Sequence, residues 1–185
     1  MKETIKTVGN EVTQVMASID EDQARQLSKA IQNAPTIFVL GEGRSGLMAK
    51  AFAMRLMHAG YQVYVIGETI TPSIQKGDLL VAVSGSGTTK TIVDMAKKAA
   101  ESKAEVFAIT TDPQSPLAEI SEHTLVIPAA TKYRRPTEPG TIQPLGNQFD
   151  QSLHLILDAV IIYSLNGGNN RQTNDQLKAR HANLE

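Results

Sequence analysis

The sequence predicts a single α/β domain in which a five-stranded parallel sheet is doubly wound and flanked by helices. Its 185 residues suit one domain. Five short apolar runs are mostly continuous rather than alternating, which is typical of strands buried on both faces of a parallel sheet. Helical patterns separate most of the runs, and this alternation indicates right-handed crossovers. The predicted strands are Thr36–Leu40, Val63–Ile66, Leu79–Val83, Glu105–Ile109 and Thr124–Ile127.

Helices are predicted before, between and after these strands. The first 34 residues hold two, and the second begins at Asp20, which has a capping-box pattern with Gln23. Residues 67–78 contain Pro72 and are tight for a crossover helix. We expect residues 1–34 to pack on a core formed by residues 35–166, and residues 167–185 to be a polar tail that contributes to the site. The other helices are predicted at Ser45–His58, Thr89–Ser102, Pro113–Glu119 and Gln148–Leu165.

Composition excludes several classes of protein. Lys and Arg total 18 and Asp and Glu total 19, which gives no electrostatic case for binding nucleic acid. The chain has no Cys, which excludes disulfides and thiolate sites and fits a cytoplasmic protein. No apolar run approaches the ~20 residues that span a membrane, and the N-terminus does not have the pattern of a signal peptide.

The first chemically informative loop follows the first strand. Residues Gly41 to Gly46 match G-x-G-x-x-G, a fingerprint of dinucleotide binding. Glu68 follows the second strand, although later than the acidic residue that this fingerprint expects ~20 positions on. A nucleotide-dependent oxidoreductase is therefore one alternative, which a titration with NAD or NADP would test.

A second loop, after the third strand, favours a phosphate monoester instead. Glycines let backbone N–H groups close around an anion, and the following helix N-terminus adds positive potential. Hydroxyl groups supply further short donors, and Ser45 of the first loop is an additional one. The alternative is a merely flexible turn. The residues of this second loop are Ser84, Gly85, Ser86, Gly87, Thr88 and Thr89.

Several longer motifs resemble those of the 6-phospho-3-hexuloisomerase family, whose members have a sugar isomerase (SIS) domain. The two loops alone specify only phosphosugar binding; the longer blocks are more specific and extend over nearly the whole chain. These blocks are Gly43-Arg44-Ser45-Gly46-Leu47-Met48-Ala49-Lys50, Phe52-Ala53-Met54-Arg55-Leu56-Met57-His58, Gly67-Glu68, Thr71-Pro72, Ser84-Gly85-Ser86-Gly87, Thr141-Ile142-Gln143-Pro144-Leu145-Gly146 and His181-Ala182-Asn183-Leu184-Glu185.

The resemblance implies a SIS-type, flavodoxin-like three-layer sandwich. It implies interconversion of D-arabino-3-hexulose 6-phosphate and fructose 6-phosphate through a cis-enediol, in the ribulose monophosphate pathway of formaldehyde fixation. It also implies a homotetramer. The partner expected is a small phosphosugar, and neither a cofactor nor a metal is required for the reaction.

The resemblance also assigns roles to residues. The phosphate loop maps onto Ser84–Thr89, and Ser45 is a second substrate contact. The family's proton acceptor is a Glu in a Gly-x-x-Phe-Glu stretch, which here ends in Asp150, a side chain one methylene shorter. Asp150 begins an apolar helix, where partial burial would raise its basicity. From its position alone it would be an acid that stabilises the helix N-terminus. Thr88 is a second departure, because related members often carry Glu there.

Three further residues are candidates for the site. Arg44 could hold the phosphate or stabilise an enediolate oxygen; the alternative is a surface ion pair. His181 could transfer the oxygen proton, since sister phosphosugar isomerases place a His from near the chain end in the site, sometimes of a neighbouring subunit. Its alternative is a disordered tail. Glu68 could orient a sugar hydroxyl or pair with Arg44 or Arg55.

Other polar residues are expected to be structural. His58 lies at a helix C-terminus, where a cation is favourable. Asp150, His154 and Asp158 share one helix face, which we interpret as a polar stripe rather than a metal site. The segment Lys132–Arg135 is expected to be a solvated loop.

Two rival functions remain within the same fold. One is an isomerase of another sugar, such as arabinose 5-phosphate, although such enzymes usually carry an appended regulatory module. The other is a non-catalytic phosphosugar sensor, although such sensors usually carry a basic DNA-binding helix that the N-terminal segment lacks.

Overall fold

The sheet has five parallel strands, as the sequence predicts. A computed structural model describes residues 1–166 and 173–184. The strand order is β2-β1-β3-β4-β5, and all four pairings are parallel. This order reverses direction between β1 and β3, which is where open α/β sheets bind ligands. The strands are β1 (Ile37–Gly41), β2 (Val63–Val65), β3 (Leu79–Val83), β4 (Glu105–Thr110) and β5 (His123–Val126).

Helices cover both faces of the sheet and form two separate apolar cores. Alternate strand residues point to opposite faces, so Val39 belongs to the core that includes residues of α1, α2, α3 and α6, while Leu40 belongs to the core that includes residues of α4 and α5. Burial on both faces explains why the strands read as continuous apolar runs. The helices are α1 (Lys2–Ala17), α2 (Glu21–Asn33), α3 (Gly43–His58), α4 (Lys90–Glu101), α5 (Pro116–Ile120), α6 (Asn147–Asn166) and α7 (Asn174–Ala179).

Several local details differ from the sequence prediction. Asp20 caps α2 by accepting from the N–H groups of Asp22 and Gln23. The Gln23 side chain does not complete a capping box, because its oxygen accepts the N–H of Val126 at 2.9 Å. Residues 67–78, which are tight for a crossover helix, connect β2 to β3 without one.

The tail is more structured than a polar pattern indicates. Thr173 caps α7, which begins at Asn174, through a complete capping box in which Thr173 and Gln176 bond reciprocally. Residues 167–172 lie outside the described residues, as does Glu185. Across residues 1–166 and 173–184, no helix is long and apolar enough to cross a membrane.

Candidate active site

A cavity of about 370 Å³ lies beyond the carboxyl ends of β1 and β3 and brings the two predicted loops together. Helix α6 and the segment after β5 close its other sides. This position at the reversal of strand order is the expected one for a ligand. The predicted site residues that line it are Arg44, Ser45, Ser84, Gly85, Ser86, Thr89 and Asp150.

The second predicted loop, Ser84–Thr89, which we call the hydroxyl loop, forms a tight turn before α4. Ser84 is 3% exposed, and its Oγ accepts the Gly87 N–H at 3.1 Å and lies 3.1 Å from the Thr89 Oγ1. Thr89 is the N-cap of α4, but its side chain makes no capping hydrogen bond. The first N–H groups of α4 therefore face the loop without a side-chain acceptor from Thr89, which is a suitable arrangement for an anion.

Two predicted members of the loop do not line the cavity. Gly87 is buried with φ of +64°, and a Cβ there would lie 2.0 Å from the Ser115 Oγ. Its role is to make the turn. Thr88 is exposed, and its hydroxyl donates to the Ser86 Oγ at 2.9 Å. Thr88 therefore contacts Ser86 rather than the cavity.

The first loop is shorter than predicted, because α3 begins at Gly43 rather than at Ser45. Arg44 and Ser45 consequently lie on the first helical turn. The helix approaches β1 so closely that a Cβ at Gly46 would lie 2.6 Å from the Gly41 carbonyl oxygen. This close packing aims the first turn of α3 at the start of α6.

Asp150 is the central acid of the cavity. It is 5% exposed; the Ser45 Oγ donates to its Oδ1 at 2.7 Å, and the Arg44 Nε lies 3.6 Å from its Oδ2. Burial raises the pKa of the Asp150 carboxyl above its usual value, although the Ser45 hydrogen bond and the Arg44 charge act in the opposite direction. A carboxyl of this kind is suited to be a general base, since its raised pKa makes it more basic than a solvated Asp.

Arg44 is thus not an isolated surface ion pair. Besides approaching Asp150, it donates through Nη1 to the Oδ1 of Asn147, on the first turn of α6. Its side chain is 49% exposed, so Arg44 contacts the buried carboxylate and is also accessible to solvent. Asp150 itself is separate from His154 and Asp158, which lie 3.8 Å apart on the outer part of α6.

Segment 131–146, which leads from β5 to α6, holds residues that the sequence analysis missed. Lys132 and Tyr133 are exposed, as expected of a solvated loop, and they also line the cavity. Arg134 ties the two ends of the segment together by donating to the carbonyl oxygens of Gln143 at 2.5 Å and Leu145 at 2.8 Å. The position of this segment in the sequence could have predicted its place at the cavity, because it follows the carboxyl end of a parallel strand.

Glu11 of α1 fixes the same segment from behind. It is 9% exposed and accepts from the Thr141 hydroxyl at 2.5 Å, the Ile142 N–H at 2.8 Å and the Gln143 Nε2 at 2.9 Å. Burial alone would raise the pKa of Glu11, but these hydrogen bonds and the Arg134 charge outweigh it, so that pKa is lowered. The carboxylate anchors the approach to α6.

Glu68 and His181 lie outside this cavity. Glu68 pairs with Lys50 at 2.7 Å, rather than with Arg44 or Arg55. The His181 ring stacks on His58 with centroids 5.3 Å apart, in a second cavity beside α7. His58 is not the expected helix-terminal cation, because burial and the neighbouring Arg55 lower its pKa and favour the neutral ring.

The residues that the structure describes include no group of three or more His, Asp or Glu side chains arranged to hold a metal ion. A buried carboxylate, a guanidinium and a ring of hydroxyl and N–H donors are grouped around one space.

Comparison with known proteins confirms the family resemblance. The SIS domain model matches residues 30–143. The chain is 38% identical to 3-hexulose-6-phosphate isomerase of Bacillus subtilis, over 99% of this chain and 98% of that protein, and 40% identical to the protein of that name from Mycobacterium gastri, over 98% and 89%. A crystal structure of a hypothetical protein from Methanococcus jannaschii, which infers a molecular function of 3-hexulose-6-phosphate isomerase, matches with a TM-score of 0.85 and 31% identity over 99% of both chains. With its hydroxyl loop at the β1/β3 reversal and its relatives matched end to end, the chain belongs to the SIS-domain family that includes the 3-hexulose-6-phosphate isomerases.

Proposed function

We propose that this protein interconverts D-arabino-3-hexulose 6-phosphate and fructose 6-phosphate. The observation that carries the proposal is the buried Asp150 carboxyl, which shares one cavity with the hydroxyl loop at Ser84–Thr89. The cavity thus combines a loop suited to bind phosphate, which we call the phosphate seat, with a carboxylate suited to act as a base. Full-length similarity to 3-hexulose-6-phosphate isomerases supports this choice of sugar. The reaction would belong to formaldehyde fixation by the ribulose monophosphate pathway, in the cytoplasm.

Asp150 acts as the base on carbon in this proposal. The carboxylate takes the proton from C2 of the 3-ketose, which leaves a cis-enediol between C2 and C3. It then returns the proton to C3, while one hydroxyl proton moves from the C2 oxygen to the C3 oxygen. The carbonyl has then moved from C3 to C2, and no atom or electron is exchanged with another reactant.

Arg44 and Ser45 prepare the site for this transfer. The Ser45 hydroxyl orients Asp150 through the 2.7 Å hydrogen bond. Arg44, 3.6 Å from the same carboxylate, is placed to stabilise the negative oxygen that develops on the enediolate. The hydroxyls of Ser84, Ser86 and Thr89, with the N-terminus of α4, hold the phosphate. For Glu68 to orient a sugar hydroxyl, its ion pair with Lys50 would first have to break.

His181 transfers the oxygen proton only if a second copy of the chain supplies it, because it does not line the Asp150 cavity of its own chain. We propose a homo-oligomer with this arrangement, a tetramer if it follows the family. An apolar face on α6 supports the proposal: Leu155 is 44% exposed, Ile162 59% and Tyr163 53%. Large exposed apolar groups on one helix face are typical of protein contacts.

Mixing two inactive variants tests the shared site. Asp150→Asn and His181→Ala are prepared separately, then dissociated and reassembled together. Hybrid oligomers contain some sites with both native residues, so activity returns if His181 comes from a neighbour. Differential tags on the two variants show whether hybrid oligomers have formed. If they have formed and activity does not return, His181 is not supplied by a neighbouring subunit.

A coupled assay tests the isomerase function itself. A synthase supplies 3-hexulose 6-phosphate from ribulose 5-phosphate and formaldehyde, and fructose 6-phosphate is read through glucose 6-phosphate and NADPH, with EDTA present. We expect NADPH formation that depends on this protein. Folded protein that binds fructose 6-phosphate without forming it would favour a sensor or an isomerase of another sugar.

A further inference from the structure

The charges around the cavity are unevenly paired. Two carboxylates, Glu42 and Asp150, and two cations, Arg44 and Lys132, line it. Arg44 lies 3.6 Å from Asp150, and Glu42 accepts a hydrogen bond from the Thr91 hydroxyl on α4. Lys132 has no carboxylate partner among residues 1–166 and 173–184; its ammonium lies 5.2 Å from the centre of the Tyr133 ring.

A bound phosphate monoester would add a charge of roughly −1.5 to −2 at neutral pH. The hydroxyl loop supplies only neutral donors, and the N-terminus of α4 contributes roughly half a positive charge. With Arg44 beside Asp150, the phosphate would lie near two carboxylates with little compensation. The ammonium of Lys132, which lines the same cavity, reduces this imbalance.

The segment that carries Lys132 is built to hold it there. Arg134 fixes the backbone on either side of the cavity mouth. Arg135 also approaches the Tyr133 ring, with its guanidinium carbon 5.6 Å from the ring centre. Its position is fixed by a 3.3 Å ion pair to Asp112. Lys132 and the anchored Arg135 therefore both lie close to the Tyr133 ring, and cation–π attraction to this ring favours a position of the Lys132 ammonium near the cavity.

We propose that Lys132 is the counter-charge for the phosphate of the bound phosphosugar. The inference rests on the proposed function in taking the ligand to be a phosphosugar, but it names a residue outside the loops that bind phosphate through hydroxyls and N–H groups. Lys132 completes the phosphate seat from the side of β5, and Tyr133 orients its ammonium.

Calorimetric titration with fructose 6-phosphate and with inorganic phosphate tests this role. Lys132→Met is compared with Lys132→Arg, which keeps the charge, and with Arg135→Met, which removes a cation from the same ring but not from the cavity lining. We expect Lys132→Met to weaken both ligands about tenfold or more, Lys132→Arg to restore most of the affinity, and Arg135→Met to change it little. The affinity of the native protein should fall below about pH 6, as the phosphate dianion is protonated, and Lys132→Met should flatten this dependence.

The outcomes separate this inference from the isomerase proposal. Equal affinity in Lys132→Met and the native protein would overturn it, as would weakened binding of fructose 6-phosphate with unchanged binding of inorganic phosphate, since Lys132 would then contact the sugar. Native protein that binds fructose 6-phosphate but fails the coupled assay would refute the isomerase proposal, and the variants would still decide the role of Lys132. Native protein that binds neither ligand would overturn both.

Discussion

The Ser45 hydroxyl donates a 2.7 Å hydrogen bond to the Asp150 carboxylate across a sequence separation of 105 residues. This contact joins the first turn of α3, next to β1, to the first turn of α6. It places the candidate base at the cavity and, together with Arg44, gives this buried carboxyl a polar partner.

Replacing Asp150 by Asn should abolish turnover while leaving substrate binding largely intact. The amide keeps the shape of the side chain but cannot take the C2 proton, so we expect kcat to fall by about 10² to 10⁴. Coupled-assay kinetics with titration of fructose 6-phosphate measure both effects. Asp158→Asn, on the same helix but paired with His154, is the matched control. Turnover near the native rate in Asp150→Asn would remove Asp150 from the mechanism.

The same variant should not lose stability at neutral pH. A carboxyl whose pKa is raised on folding contributes stability below its unfolded pKa, and this contribution is lost as the pH rises through the folded value. Asp150 is therefore a stability cost at neutral pH, which Asn does not carry. Urea unfolding at neutral pH should give Asp150→Asn a free energy of unfolding equal to or above that of the native protein. A large loss would show that the ionised carboxylate stabilises the fold.

The pH dependence of activity should report the Asp150 carboxyl. Because the base must be ionised, kcat/KM should fall on acidification through a pKa above the usual Asp value. The Ser45 hydrogen bond lowers this pKa, so Ser45→Ala should move the acid limb of the profile to higher pH. Ser102→Ala, which removes an exposed hydroxyl bonded to the Lys98 carbonyl, should leave the profile in place. If the acid limb does not move in Ser45→Ala, the Ser45 hydrogen bond does not affect the pKa of the base.

Ser84→Ala and Ser86→Ala should raise KM more than they lower kcat. Each removes a hydroxyl donor from the proposed phosphate seat, and a hydrogen bond to a charged group contributes about 1.5–3 kcal/mol, or at least about tenfold in affinity. Ser84→Ala should also lower the melting temperature, because the Ser84 Oγ accepts the Gly87 N–H. An unchanged KM in both variants would refute the phosphate-loop assignment.

Glu11→Gln should destabilise the protein by about 1–3 kcal/mol at neutral pH, because buried donors lose a charged acceptor. The pKa of Glu11 is lowered in the folded state, so its contribution is present above the unfolded pKa and is lost as the pH falls through the folded value. The stability difference between native and variant should therefore shrink on acidification. Unfolding at several pH values measures it, with the exposed Glu3 as the Glu→Gln control. A difference that does not change with pH would show that the charge of Glu11 is not involved.

The sequence alone was sufficient for those parts of the site that depend on local structure. Continuous apolar strands and the hydroxyl loop after β3 are properties of short segments, and they predicted the sheet and the position of the cavity. The bonds of Glu11 to residues 141–143 and the place of Lys132 could not be predicted in this way, because they depend on side chains that meet only after the helices pack. Gln23 is a small example: its spacing predicts a local cap, but the edge of β5 offers a competing donor.

The anchoring of residues 141–143 by Glu11 has a consequence for the order in which the protein can be assembled. The Glu11–Gln143 bond spans 132 residues, so it closes a very long chain segment, which is entropically costly and slow compared with local pairing. The turn at Ser84–Thr89 is hydrogen-bonded to Ile109, Thr111 and Leu117, all of which precede α6 in the chain. A nascent or truncated chain that ends before α6 would already contain the anion-binding turn and lack the base, so recognition and chemistry would be acquired at different stages of folding.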